Sequence, residues 1–180
     1  MKRSKKVLIL RFSSYGDVAI MVPVLRALST THPEVSFKVV SRPKMAPLFD
    51  EFRNVDFIGI DLENNFKGLR GLWDLFKYLK KLKPTHIADL HHVIRTRIIC
   101  FLFRIYGFRV KSINKGRAEK KALTRFKNKI FQPLTPTVFR YSKVFISLGF
   151  PNDITKKEIP YVKVLPKKIE SIFYADKKKW

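Results

Sequence analysis

Three short stretches collect the residue types that do chemistry. The first is Arg11-Phe12-Ser13-Ser14-Tyr15-Gly16-Asp17. Ser13 and Ser14 offer hydroxyls and amides, Gly16 permits a tight turn with close backbone approach, and Asp17 is a carboxylate. If a helix begins here, Asp17 falls in its first turn, where it caps free N–H groups and faces the positive end of the helix dipole. The same carboxylate exposed in a crevice is a general base. Both readings stand on the sequence. The stretch lacks the G-x-G-x-x-G spacing of a dinucleotide fingerprint.

The second stretch is Asp89-Leu90-His91-His92-Val93-Ile94-Arg95. Adjacent histidines cannot face the same way on a regular helix or strand, and no carboxylate lies at helical ligand spacing, so no metal site is expected. The expectation is one histidine lining a crevice and one at the surface. Arg95 suits a bidentate grip on a carboxylate or phosphate. The third stretch is Lys115-Gly116-Arg117-Ala118-Glu119. Lys115 and Arg117 are candidate anion ligands, Glu119 a group to orient one of them, and Gly116 fits a loop approached by a ligand. A solvated basic loop is the plainer alternative. Cys100, the single cysteine, sits in the apolar run 98–103 and reads as a buried structural thiol, which excludes an internal disulfide.

The elements that position these stretches follow from hydrophobic pattern. The run 7–10 is continuously aliphatic, as in a strand buried on both faces of a parallel sheet. Apolar residues from Val18 to Leu28 recur at helical spacing, with Pro23 tolerated if the helix begins nearby, and His32-Pro33 ends them. Strands are predicted over 35–40, 55–60, 85–90 and 108–113, with helices over 43–52, 69–82 and 93–106 between them. This alternation predicts an α/β fold, a Rossmann-like doubly wound parallel sheet. Beyond 114 the pattern weakens: a short helix and loop over 115–128, a helix over 138–148 stopped by Gly149 and Pro151, and one weak strand over 159–165. In such a sheet ligands bind beyond the carboxyl ends of the strands, where all three stretches fall.

The chain has 180 residues and a net charge of +24, and 46% of it is hydrophobic, too much for a disordered basic tail. The charge is lopsided, +7 over 1–90 and +17 over 91–180, and the segment 95–129 holds twelve basic residues against Glu119 alone. Such a field suggests an anionic partner, nucleic acid, an acidic membrane surface, or a phosphorylated or carboxylated substrate, with a generally basic proteome or a solvated basic face as the plainer alternative. The apolar runs are too short for a signal peptide core or a membrane span, so the chain reads as cytoplasmic.

The first stretch, followed by Pro23-Val24-Leu25-Arg26-Ala27-Leu28 and His32-Pro33, resembles the opening of glycosyltransferase family 9, the ADP-heptose:lipopolysaccharide heptosyltransferases. Asp89-Leu90-His91-His92 with Arg95, Lys115-Gly116-Arg117 with Glu119-Lys120, and Arg140-Tyr141 with Leu148-Gly149 are similar to later parts of that family's first domain. The resemblance spans about 6–150. It implies the N-terminal half of a GT-B enzyme, with an acceptor-binding Rossmann-like domain over 1–150 and a basic interdomain segment over 151–180 leading to an absent nucleotide-sugar domain. It implies Asp17 as the base of an inverting transfer. Ser13, Ser14 and Gly16 would shape the turn, and His91, Arg95, Lys115 and Arg117 would bind the acceptor. The implied partners are ADP-heptose, through the missing domain, a Kdo-lipid A or core oligosaccharide acceptor, and peripherally the anionic face of the inner membrane. No metal, cofactor or nucleic acid is implied. A chain of this length reads either as a fragment of a longer enzyme or as a stand-alone acceptor domain. The rival reading is a non-catalytic basic α/β module that binds anionic lipid or nucleic acid.

Overall fold

The computed structural model describes residues 5–154. Five strands, β1 (Lys6–Leu10), β2 (Ser36–Ser41), β3 (Val55–Gly59), β4 (His86–Asp89) and β5 (Arg109–Ser112), form one sheet in the order β3-β2-β1-β4-β5. Every pairing is parallel. The strand order reverses between β1 and β4, the switch point of a doubly wound sheet. The helices are α1 (Tyr15–Ala19), α2 (Met21–Thr31), α3 (Gly68–Lys81), α4 (Ile94–Ile105), α5 (Arg117–Thr124) and α6 (Thr137–Ser147).

The continuous apolar run of β1 is explained by burial on both faces. Val7 and Ile9 enter one core with residues of α1, α2 and α6, while Leu8 and Leu10 enter a second with residues of α3 and α4. Successive side chains of a strand point to opposite faces, so four aliphatics in a row serve two cores. Each such side chain contributes about 1.5–3 kcal/mol on leaving water. α6 packs against α2 and ends at Gly149, whose φ of +89° suits glycine. The turn drives Phe150 back into the first core, edge-on to Phe37.

Two expected helices are changed, both by proline. The helix expected around Val18–Leu28 is two, α1 and α2, joined at Ile20. A continuous helix would set the Pro23 ring against the carbonyl of Ala19; restarting at Met21 puts Pro23 in the first turn, where its missing N–H costs nothing. The helix expected over 43–52 is a shorter 3-10 helix, Pro43–Leu48, with Pro43 and Pro47 depriving it of donors. The strand expected over 159–165, and the basic segment past Ile154, lie outside the described residues.

Candidate functional site

The loops after β1, β4 and β5 meet at the switch point. They continue the sheet's bonding past the strands: the Leu90 amide donates to the Leu10 carbonyl and the Ile113 amide to the Asp89 carbonyl. Arg11, one residue beyond β1, is buried among them. Its Nη1 donates to the Leu90 carbonyl at 2.6 Å, which ties the β1 loop to the β4 loop. Its Nη2 forms an ion pair with Asp17 Oδ2.

Asp17 stands in the first turn of α1, three residues after the N-cap Ser14. Oδ2 also accepts the Ser14 hydroxyl at 3.0 Å and the Ser14 amide at 3.3 Å, the carboxylate half of a capping box. All of these contacts meet Oδ2, and Oδ1 takes none of them. Partial burial works to raise the pKa of Asp17, but the Arg11 charge and the Ser14 donors outweigh it, and the net shift is below the ordinary value. Asp17 is therefore ionised at neutral pH. The Tyr141 hydroxyl donates to the Asp17 carbonyl at 3.2 Å, so α6 pins the turn from below. The helix-capping and general-base readings of the sequence are thus compatible in one residue.

The β4 loop is shaped by Asp89, which is fully buried. Its Oδ1 accepts the amides of His91 (3.0 Å) and His92 (2.8 Å), folding the chain back toward α4. Cys100 is buried beneath it, and burial with the nearby Asp89 charge pushes the thiol pKa up, as befits a structural thiol. His91 turns to the β1 loop, with Nε2 3.3 Å from Ser13 Oγ and its ring edge-on to Phe12. Its Nδ1 is buried without a partner among the described residues. Burial, then the Arg11 and Lys115 charges, lower the His91 pKa to about 4, so the ring is neutral at pH 7. The expectation of one histidine at the surface is corrected, since neither is exposed. His92 is half-buried, with φ +48° and Nδ1 3.1 Å from the Ile113 carbonyl, because the Asp89 turn swings it toward β5.

An open cleft of about 540 Å³ lies over these loops, lined by Ser13, His91, Arg42, Arg95, Arg97 and Arg117 among others. Arg42 pairs with Glu63 at 2.9 Å. Arg95, Arg97 and Arg117 are exposed and have no acidic partner among the described residues. Lys115 lines an adjoining cavity with Arg117, and its pKa is lowered by burial and by the Arg11 and Arg117 charges. The structure thus brings Ser13, His91, Arg95, Arg117 and Lys115 to one region. Ser14 and Asp17 stand beside it, held through Arg11. Gly16 is exposed in α1 with open space where a side chain would be, which leaves the helix start accessible.

Two expectations for the third stretch are corrected. Glu119 orients neither Lys115 nor Arg117; it accepts Arg140 Nη2 at 2.6 Å and Nη1 at 3.4 Å. Gly116 is buried at φ +62°, and a Cβ there would collide with the Arg140 guanidinium, so this glycine makes room for an ion pair and not for a ligand. Arg140 also donates to the Asn114 and Thr135 carbonyls. Sequence reasoning missed Arg11 as an organiser, Arg42 and Arg97 as cleft residues, and Asp89 as the loop's anchor. The signal for Asp89 was present, an Asp followed by two residues whose amides it can cap. No group of three or more His, Cys, Asp or Glu side chains among the described residues could hold a metal ion.

No family model matches the sequence, and no curated protein matches it. Solved structures do. A glycosyltransferase family 9 protein from Veillonella parvula DSM 2008 superposes with a TM-score of 0.63 at 16% identity, over 98% of this chain and 51% of that one. The E. coli heptosyltransferase WaaC, solved with ADP, gives 0.59 at 18% identity, over 86% of this chain and 50% of that one. WaaC with ADP-2-deoxy-2-fluoro heptose gives 0.59 at 16%. The chain has the Rossmann-like fold of these transferases and spans about half their length.

Proposed function

We propose that this chain is the acceptor-binding half of an inverting, heptosyltransferase-like glycosyltransferase of the family 9 type, completed by a nucleotide-sugar domain. The observation that carries the reading is the ionised Asp17 carboxylate at the switch point, held on one oxygen by Arg11 and Ser14 beside an arginine-lined cleft. Similarity of fold to WaaC and to the family 9 protein supports it.

The reaction would run as a single displacement. The acceptor hydroxyl oxygen attacks the anomeric carbon of the sugar while the bond from that carbon to the β-phosphate oxygen breaks, and ADP leaves with the electron pair. The hydroxyl proton passes to Asp17, through Oδ1, and then to solvent. Neutral His91, with Ser13, would hydrogen-bond the acceptor, and Arg95, Arg117 and Lys115 would hold its carboxylates or phosphates. Arg42 and Arg97 join them in this reading. The acceptor would be a Kdo-lipid A or core oligosaccharide and the donor ADP-heptose. The enzyme would then work in the cytoplasm, peripherally at the anionic face of the inner membrane. The described residues contain no helix long and apolar enough to cross a membrane. The test is to incubate the full-length protein with ADP-heptose and a Kdo-bearing lipid acceptor and to weigh the product. The reading expects a one-heptose mass gain, and an unchanged acceptor beside strong binding of generic RNA would favour the basic-module alternative.

A further inference from the structure

We propose that the outer face of α4 and the edge of β5 form a docking surface for an anionic lipid bilayer. This deepens the membrane part of the function proposed above by naming the surface that makes the contact.

The observation is a mismatch between pattern and burial. The inner face of α4 is core: Thr96, Ile99, Cys100 and Phe103 are buried. The outer face is also apolar. Ile94, Phe101 and Ile105 are exposed at 75%, 60% and 64%. At roughly 100° per residue these three fall within about 40° of one line along the helix. A solvent face of a globular domain carries charge there, and contiguous exposed apolar groups mark an interaction site.

The rim of that stripe decides the partner. Between residues 94 and 113 the chain carries Arg95, Arg97, Arg104, Arg109 and Lys111, all exposed, and no acid. An apolar stripe flanked by cations matches a surface of anionic headgroups over acyl chains. A second copy of the chain fits poorly, because a two-fold contact would set this rim against itself. Nucleic acid has no use for the exposed isoleucines. The stripe also adjoins the site. A groove of about 750 Å³ between α4 and β5 shares His92, Ile94 and Arg97 with the strand-end cleft. Docking on α4 would therefore bring the cleft mouth to the lipid surface.

The experiment is vesicle co-sedimentation of the full-length protein, with phosphatidylcholine alone or with about one-third phosphatidylglycerol. Binding to the mixed vesicles that weakens with added salt, and none to phosphatidylcholine alone, is the expected result. The pair Phe101→Ser with Ile105→Ser should lower partitioning about tenfold, and Arg104→Gln with Arg109→Gln should also lower it, both with an unchanged melting temperature. Unchanged partitioning of the serine variant would overturn the proposal. So would a lowered melting temperature, which would mean that the face is already packed within the protein, or a dimer that this variant abolishes. Sugar transfer to a detergent-dispersed acceptor separates the two readings: its absence in the wild type contradicts the transferase and leaves the vesicle result standing.

Discussion

At the scale of single residues, the site depends on two perturbed titrations. Arg11 holds Asp17 as a carboxylate, since its charge opposes the desolvation that would otherwise raise the pKa. Replacing Arg11 by Gln removes that charge, so the Asp17 pKa rises. The acidic limb of the kcat/KM profile of the proposed full-length enzyme should then move to higher pH, while Arg11→Lys should largely restore it. A pH–rate profile unmoved in Arg11→Gln would contradict the coupling. His91 is the other case. Its folded pKa of about 4 lies below the ordinary 6.5, so between those values the unfolded chain binds more protons than the folded one. The His91 contribution is complete above about pH 6.5 and is lost as pH falls toward 4. His91→Gln should flatten the fall of the urea midpoint across that window.

At the scale of elements, an ion pair shapes the loop after β5. Gly116 allows Arg140 to sit against the backbone, and Arg140 holds Glu119 and two carbonyls. An alanine at Gly116 must adopt a left-handed conformation and also displace a guanidinium fixed by these bonds. We expect Gly116→Ala to cost about 1–3 kcal/mol, read as a fall in melting temperature, with Lys115 and Arg117 displaced and acceptor binding weakened. β1 was legible in the sequence because Val7–Leu10 is a continuous apolar run, which a strand buried on both faces requires, and β2 and β4 were legible from the shorter apolar pairs Val39-Val40 and Ile87-Ala88. The turn Ser13–Asp17 was legible for the same reason, since it follows the clearest strand. The partner of Glu119 was not, because Arg140 lies on another helix and only the fold brings the two together. Arg42 and Arg97 were missed likewise: their neighbours in sequence are unremarkable, and they become cleft residues when the loops after β2 and β4 converge.

At the scale of the molecule, basic residues of the segment 95–117 lie at the cleft and along the α4 face. Arg95, Arg97, Arg104, Lys115 and Arg117, which line the cleft and its adjoining cavities, steer anions toward this end of the sheet. The apparent affinity for a phosphorylated acceptor should therefore fall as ionic strength rises, with a smaller change in kcat, because exposed charges act over about 8 Å at physiological salt. An acceptor KM insensitive to salt would speak against the cleft arginines as its ligands. The chain spans about half of the transferases it superposes on, so donor binding belongs to residues beyond this domain in the proposed enzyme.

The central claim is that Asp17 removes the acceptor proton. It is tested most directly by single-turnover transfer of heptose from ADP-heptose with full-length Asp17→Asn, which keeps the shape of the side chain and loses its charge. The account predicts a rate about 10²–10⁴-fold lower with acceptor affinity little changed; transfer at the wild-type rate would contradict it.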